Sequence, residues 1–186
     1  MRSASEIIDK YYPADNQALR DIYITHARQV AEKALSIARN LSLPLDPKMI
    51  EGAALTHDIG IFLTDAPGIE CRGTEPYLRH GILGAEILRN EGAPAEWVGV
   101  AERHTGAGIT RKQIEEHNLP LPLRDFMPQT LLERLICYAD KFFSKTKLGH
   151  EKTLEEVRRS MLKVSPETLE RFERLHTEFS RASAEH

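Results

Sequence analysis

Apolar residues along this chain recur every three or four positions, the spacing of helices that bury one face. Over residues 16–40, Leu19, Ile22, Tyr23, Val30, Leu35, Ile37 and Ala38 follow that period. They predict one long helix, or two that meet near residues 21–25. Asp46-Pro47 pairs an N-cap with a first-turn proline and opens a helix expected to reach Thr56 or His57. Residues 60–76 are rich in Gly and Pro and read as a loop. A helix over 77–90 follows, with Gly92 placed as its C-terminal cap, and Pro94 opens another that ends near His104. Thr110 and Gln113 have capping-box spacing, as do Thr153 and Glu156. Three prolines mark 118–128 as a loop, a long helix is expected over 128–144, and Ser165-Pro166 starts the last one. No alternating β-branched run suggests a sheet. The expected fold is all-α: a single-domain helical bundle over 1–186.

Composition narrows the classes. The 186 residues are 41% hydrophobic and 28% charged, with a net charge of -3, enough apolar matter for one core. A mildly acidic chain has no bulk attraction to nucleic acid or anionic lipid. No stretch of about 20 apolar residues could cross a bilayer, and the start, MRSASEIIDKYY, lacks the apolar core of a signal peptide. Cys71 and Cys137 make no disulfide framework. The cytoplasm is the expected compartment.

Eight histidines direct attention to chemistry. The informative set is His26, His57, Asp58, His80, His104 and Asp140. Adjacent residues on a helix point roughly 100° apart, so His57 and Asp58 reach one pocket only near a helix end or across two metals. Imidazole with carboxylate suits intermediate divalent metals, and a carboxylate can bridge two ions. Histidines on half-buried helices are more commonly hydrogen-bonded core or surface groups. These six are too widely spaced for a compact zinc motif, and only a bundle could gather them.

The run His57-Asp58-Ile59-Gly60, with His26 in YITHARQVAEKAL before it and Asp140 in LLERLICYADKFFSK after it, resembles the HD-domain superfamily of metal-dependent phosphohydrolases, in its HDIG branch. The resemblance covers about residues 20–145, which it marks as a metal-binding core, leaving 146–186 as a C-terminal helical extension. It implies that His26, His57, Asp58 and Asp140 hold one metal. Two-metal members carry two further histidines, matched here by His80 in YLRHGILGAEIL and His104 in AERHTGAGIT. Some relatives have a histidine pair where this chain has His104 followed by Thr105, a departure from their pattern. The Gly-Tyr-Pro signature of the cyclic dinucleotide branch is absent after the doublet.

The resemblance further implies one or two divalent ions, drawn from Fe, Mn, Co, Ni, Zn or Mg with Fe or Mn favoured. It implies a phosphorylated small-molecule substrate, a nucleotide or nucleotide-like compound, cleaved by metal-activated hydroxide. Asp58, bridging the ions, and Lys141, beside Asp140, are the candidate catalytic residues, although helix spacing alone would leave Lys141 in solvent. Residues 60–76 are a candidate lid, in which Arg72 is a candidate phosphate contact. Arg111 and Lys112 lie in the first turn of a short helix, where free N–H groups favour an anion, and complete the substrate set. Cys71 has no neighbouring histidine and is read as incidental. His117, His150, His176 and His186 fall outside the pattern. Two alternatives use the same bundle: a di-iron oxygenase, and a non-catalytic ligand-binding module. A homodimer is left open.

Overall fold

The computed structural model describes residues 2–12 and 14–180, so the end of the chain, His186 included, lies outside the described residues. Among these residues the fold is all-α, with one two-stranded hairpin. The helices are α1 (Ala4–Tyr11), α2 (Gln17–Asn40), α3 (Pro47–Thr56), α4 (His80–Asn90), α5 (Ala95–Arg103), α6 (Arg111–Glu116), α7 (Leu131–Asp140), α8 (Leu154–Val164) and α9 (Pro166–Ser180). None is long and apolar enough to cross a membrane.

Helix α2 is continuous, so the segment 21–25 is no junction: Tyr23, His26, Ala27 and Val30 carry its buried stripe straight through. Small residues at helix-helix contacts let backbones approach. Ala27, Ala31, Ala34 and Ala38 face inward on α2 and Ala53 and Ala54 on α3. A Cβ added at Gly52 would stand 1.9 Å from the Trp97 ring, so α3 packs on α5 only with glycine there.

Three boundaries differ from the sequence expectation. An N-terminal helix, α1, is closed by a Ser3–Glu6 capping box. Residues Tyr77–Arg79 form a 3₁₀ turn, and α4 proper begins at His80. Helix α7 is shorter than 128–144: Thr130 caps it by accepting from the Glu133 N–H, and after Asp140 the backbone tightens into three-residue hydrogen bonds such as Phe143 N to Asp140 O. The loop 60–76 holds the hairpin, β1 (Asp65–Ala66) against β2 (Cys71–Arg72).

Helices α8 and α9 pack as a pair, and α9 lies through Phe172 and Phe179 against Tyr138 of α7 and against Phe142 just beyond it. Buried Tyr12 and Tyr23 stack at 4.1 Å and donate to the carbonyls of Ile59 and Leu55. Those bonds hold the exit of α3, where His57 and Asp58 sit.

Candidate metal centre

Five elements each deliver one part of the centre. His26 projects from the middle of α2, His57 caps the end of α3 with Asp58 behind it, and His80 begins α4. His104 caps the end of α5, and Asp140 is the last residue of α7. The last carbonyls of a helix have no partner within it, and His57 and His104 use them, while His80 reaches back to the first carbonyl of the 3₁₀ turn before α4. His57 Nδ1 lies 2.6 Å from Ala54 O, His104 Nδ1 2.9 Å from Ala101 O, and His80 Nδ1 2.7 Å from Tyr77 O. A carbonyl only accepts, so each Nδ1 carries the hydrogen and each Nε2 presents a lone pair inward.

The side chains form two groups that share Asp58. His26, His57, Asp58 and Asp140 offer ligand atoms within 4.8 Å of one another, and so do Asp58, His80 and His104. The two oxygens of Asp58 are divided between them. Oδ2 faces His26 Nε2 and His57 Nε2, each at 3.2 Å, while Oδ1 faces His80 Nε2 at 3.4 Å and His104 Nε2 at 3.3 Å. Asp140 Oδ1 lies 3.0 Å from His26 Nε2 and 3.4 Å from His57 Nε2. His57 Nε2 and Asp58 Oδ1 are buried without a hydrogen-bond partner. Unpartnered buried lone pairs around a shared carboxylate are the donor set of a divalent cation site, and both groups can hold such ions.

Asp58, Asp140, His80 and His104 are held in the protonation states that metal ligands need. Burial opposes charge on the Asp58 carboxyl, yet Lys145 and His57 hold it well below the carboxylate range. Asp140 is likewise kept ionised against its burial by Lys141, His26 and His57. Burial pushes His80 down to about 3 and lowers His104. His57 moves the other way, to about 10, because Asp58 and Asp140 outweigh its burial, so an ion at its Nε2 has to displace a proton.

Beside the centre is a cavity of about 460 Å³ whose wall includes Tyr77, Asp140, Lys141 and Lys145. Lys141 is buried rather than solvated: its Nζ donates to Asp140 Oδ2 at 2.6 Å and to His104 O at 3.1 Å. Lys145, absent from the sequence reading, places Nζ 2.7 Å from Asp58 Oδ2. It follows the end of α7 through irregular turns, so helical periodicity gave no sign of its direction. Tyr77 stacks on the His80 ring at 4.7 Å.

The three expected phosphate contacts are not in that wall. In β2 successive side chains alternate: Cys71 turns inward and is buried, which sends Arg72 outward, 82% exposed, with Glu70 3.5 Å away. The start of α6 is already satisfied. Thr110 and Gln113 close a capping box, and the Asp125 carboxylate accepts from Arg111 N–H at 2.7 Å, where an anion would sit. Lys112 is exposed beside Glu116. The loop 60–76 does reach the cavity, through Ala66, Gly68 and Ile69. His176 pairs with Tyr138 and His150 with Glu156, outside the centre.

Comparison with known proteins gives a consistent assignment. The HD domain family matches residues 23–144. An uncharacterised protein of Methanocaldococcus jannaschii is 37% identical over 127 residues, 67% of this chain and 68% of that protein. A tRNA (cytidine(56)-2′-O)-methyltransferase of Picrophilus torridus is 32% identical over 153 residues, 78% of this chain but 40% of the enzyme. A methyltransferase of the same name from Thermoplasma volcanium is 32% identical over 157 residues, and the chain again spans only 41% of its length. In fold, the chain is similar to the HD domain of the L. monocytogenes phosphodiesterase PgpH, with a TM-score of 0.55 at 16% identity over 92% of this chain and 94% of that one. The same domain in complex with cyclic-di-AMP gives 0.54 at 15% identity over 98% of each.

Proposed function

This chain belongs to the HD domain family, and from that premise we propose that it is a phosphohydrolase with a dinuclear metal site, acting on a phosphate ester or anhydride of a small nucleotide-like molecule. The observation that carries the reading is the division of Asp58, one oxygen toward His26 and His57 and the other toward His80 and His104. Asp58 would bridge two ions, with His26, His57 and Asp140 completing one and His80 and His104 the other. Bound in this way, divalent metals supply Lewis acidity, which yields a hydroxide nucleophile near neutral pH and neutralises charge on the phosphoryl group. Fe and Mn suit this mixture of imidazole and carboxylate.

The chain's own side chains do the rest. The carbonyls of Ala54, Tyr77 and Ala101 fix the tautomers of His57, His80 and His104. Lys141 orients Asp140 and ties it to the end of α5. Lys145 lies both at Asp58 and in the cavity wall, so its ammonium is placed to bind a phosphoryl oxygen. This gives Lys145 the role first expected of Arg72, Arg111 and Lys112. The exposed face of Tyr77 is available to stack a base. That the PgpH domain binds cyclic-di-AMP supports a nucleotide-like ligand here. The names of the two methyltransferases add an RNA-linked setting to the family, without carrying methyl transfer to this chain.

A panel of nucleotides and phosphate esters, assayed for phosphate release with Mn, Fe, Co, Ni and Mg, tests the proposal. It requires turnover of at least one compound, lost on Asp58→Ala. No turnover by metal-loaded protein would overturn it, and oxygen uptake in its place would assign the centre to di-iron oxygenation.

A further inference from the structure

The chain is acidic overall, at -3, yet unpaired cations collect outside the metal cavity. A second hollow, of about 290 Å³, adjoins it and shares Ser144, Thr146 and Lys152 with it as common walls. Arg159 and Lys163 extend the second hollow along α8, and Lys147 lines it from the turns before that helix. Neighbouring cations are neutralised: Arg158 is held by Glu155 and Glu173, and Lys33 by Glu151. Lys147, Lys152, Arg159 and Lys163 have no carboxylate partner among the described residues. The hollow's own carboxylate, Glu156, is committed to His150 at 3.3 Å and to the Thr153 N–H at 2.7 Å. Lys152 stands in the wall common to cavity and hollow; its burial, with Lys141 and Lys145, lowers its pKa against the pull of Asp140 and Glu156.

We propose that this hollow is a second phosphate subsite, and that the substrate is a small molecule with at least two phosphates, one cleaved beside Asp58 and the other seated over Lys152, Arg159 and Lys163. The inference rests on the phosphohydrolase reading for the first phosphate only. These four cations line a hollow that continues from the cavity beside Asp140, and a phosphate there would take charge-assisted bonds from several at once.

The test is calorimetric binding to the Mn-loaded full chain, with adenosine 5′-monophosphate compared against adenosine 3′,5′-bisphosphate and adenosine 5′-triphosphate. At least one of the latter two should bind about tenfold more tightly than the monophosphate. The double variant Arg159→Gln/Lys163→Gln, altered only at exposed positions, should erase that gap and leave the monophosphate affinity unchanged. A wild type with no gap, or a gap that survives the double substitution, would overturn the subsite. Tighter binding of a short single-stranded oligoribonucleotide than of either small compound, lost in the same variant, would reassign the hollow to RNA and overturn the small-molecule proposal. The readout is binding, so a gap without hydrolysis in the metal panel supports the subsite and counts against the hydrolytic reading alone.

Discussion

Nε2 of His80 and Nε2 of His104 face each other across 3.0 Å, although the Nδ1 of each ring lies against a backbone carbonyl. Those carbonyls take the hydrogens, so the close pair is lone pair against lone pair, which repels unless a cation is shared. A proton is a poor candidate, because burial pushes His80 down to about 3 and lowers His104. A metal ion would satisfy both rings and Asp58 Oδ1 together.

Folding of the chain should therefore be linked to metal. Exhaustive chelation should lower the melting temperature, and Mn or Fe should restore it. An ion at 100 times its dissociation constant contributes about 2.7 kcal/mol. Differential scanning calorimetry at several metal concentrations reads this directly; a melting temperature indifferent to chelator and to added ions would speak against a preformed site.

Lys145 reaches Asp58 without belonging to either ligand group. Lys145→Ala should leave metal content near wild type and reduce kcat/KM by about 100-fold, the scale of losing one donor to a developing oxyanion. Lys145→Arg, which keeps the charge, should recover part of it. Steady-state kinetics paired with metal analysis separates this role from a structural one, in which metal would be lost along with activity.

Arg103 donates from Nε and Nη2 to Glu133 at 2.7 and 2.8 Å, and the Gln129 N–H adds a third bond at 2.8 Å. Glu133 is buried and Arg103 half-buried, and the pair ties the end of α5, and so His104, to α7. Arg103→Ala should cost about 3–5 kcal/mol by stranding a buried carboxylate. Burial opposes charge on Glu133, but the bonds from Arg103 and Gln129 lower its pKa overall. Its contribution is therefore complete above the ordinary carboxylate range and is lost as pH falls through the lowered folded value. Denaturant melts of wild type and Glu133→Gln should diverge at neutral pH and converge in acid; a constant gap would contradict the assignment.

Gly60 follows the His57-Asp58-Ile59 run, and a Cβ there would meet His80 O at 2.4 Å and Gly84 N at 2.5 Å. Its φ of -86° is ordinary, so close packing rather than backbone strain requires glycine. Gly60→Ala should destabilise by about 1–3 kcal/mol and weaken metal binding by pushing α4 and its His80 away. Equilibrium unfolding with metal titration checks both effects, and wild-type metal affinity in a folded Gly60→Ala protein would rule out that displacement.

The legible features were those written locally. The caps at Asp46, Thr110 and Thr153 mark helix starts that the structure has, and the six ligand-type residues stand in an order that means little without a bundle to close it. Ser3 and Glu6 carry the same capping signal, and they start α1. Arg72, Arg111 and Lys112 show where local reading ends. Their placement depends on a hairpin's side alternation and on Asp125, fourteen residues downstream of Arg111, neither of which is visible from the positive charges themselves. Lys145 was hidden for the converse reason, since it approaches Asp58 from an irregular turn.

The most direct test is a count of metal ions per chain by elemental analysis, on wild type and His80→Ala purified anaerobically in excess Mn or Fe. Two ions in the wild type and one in His80→Ala are predicted, because His26, His57, Asp58 and Asp140 remain intact in the variant. Fewer than one ion in the wild type, or the same count in both proteins, would contradict a centre built on a shared Asp58.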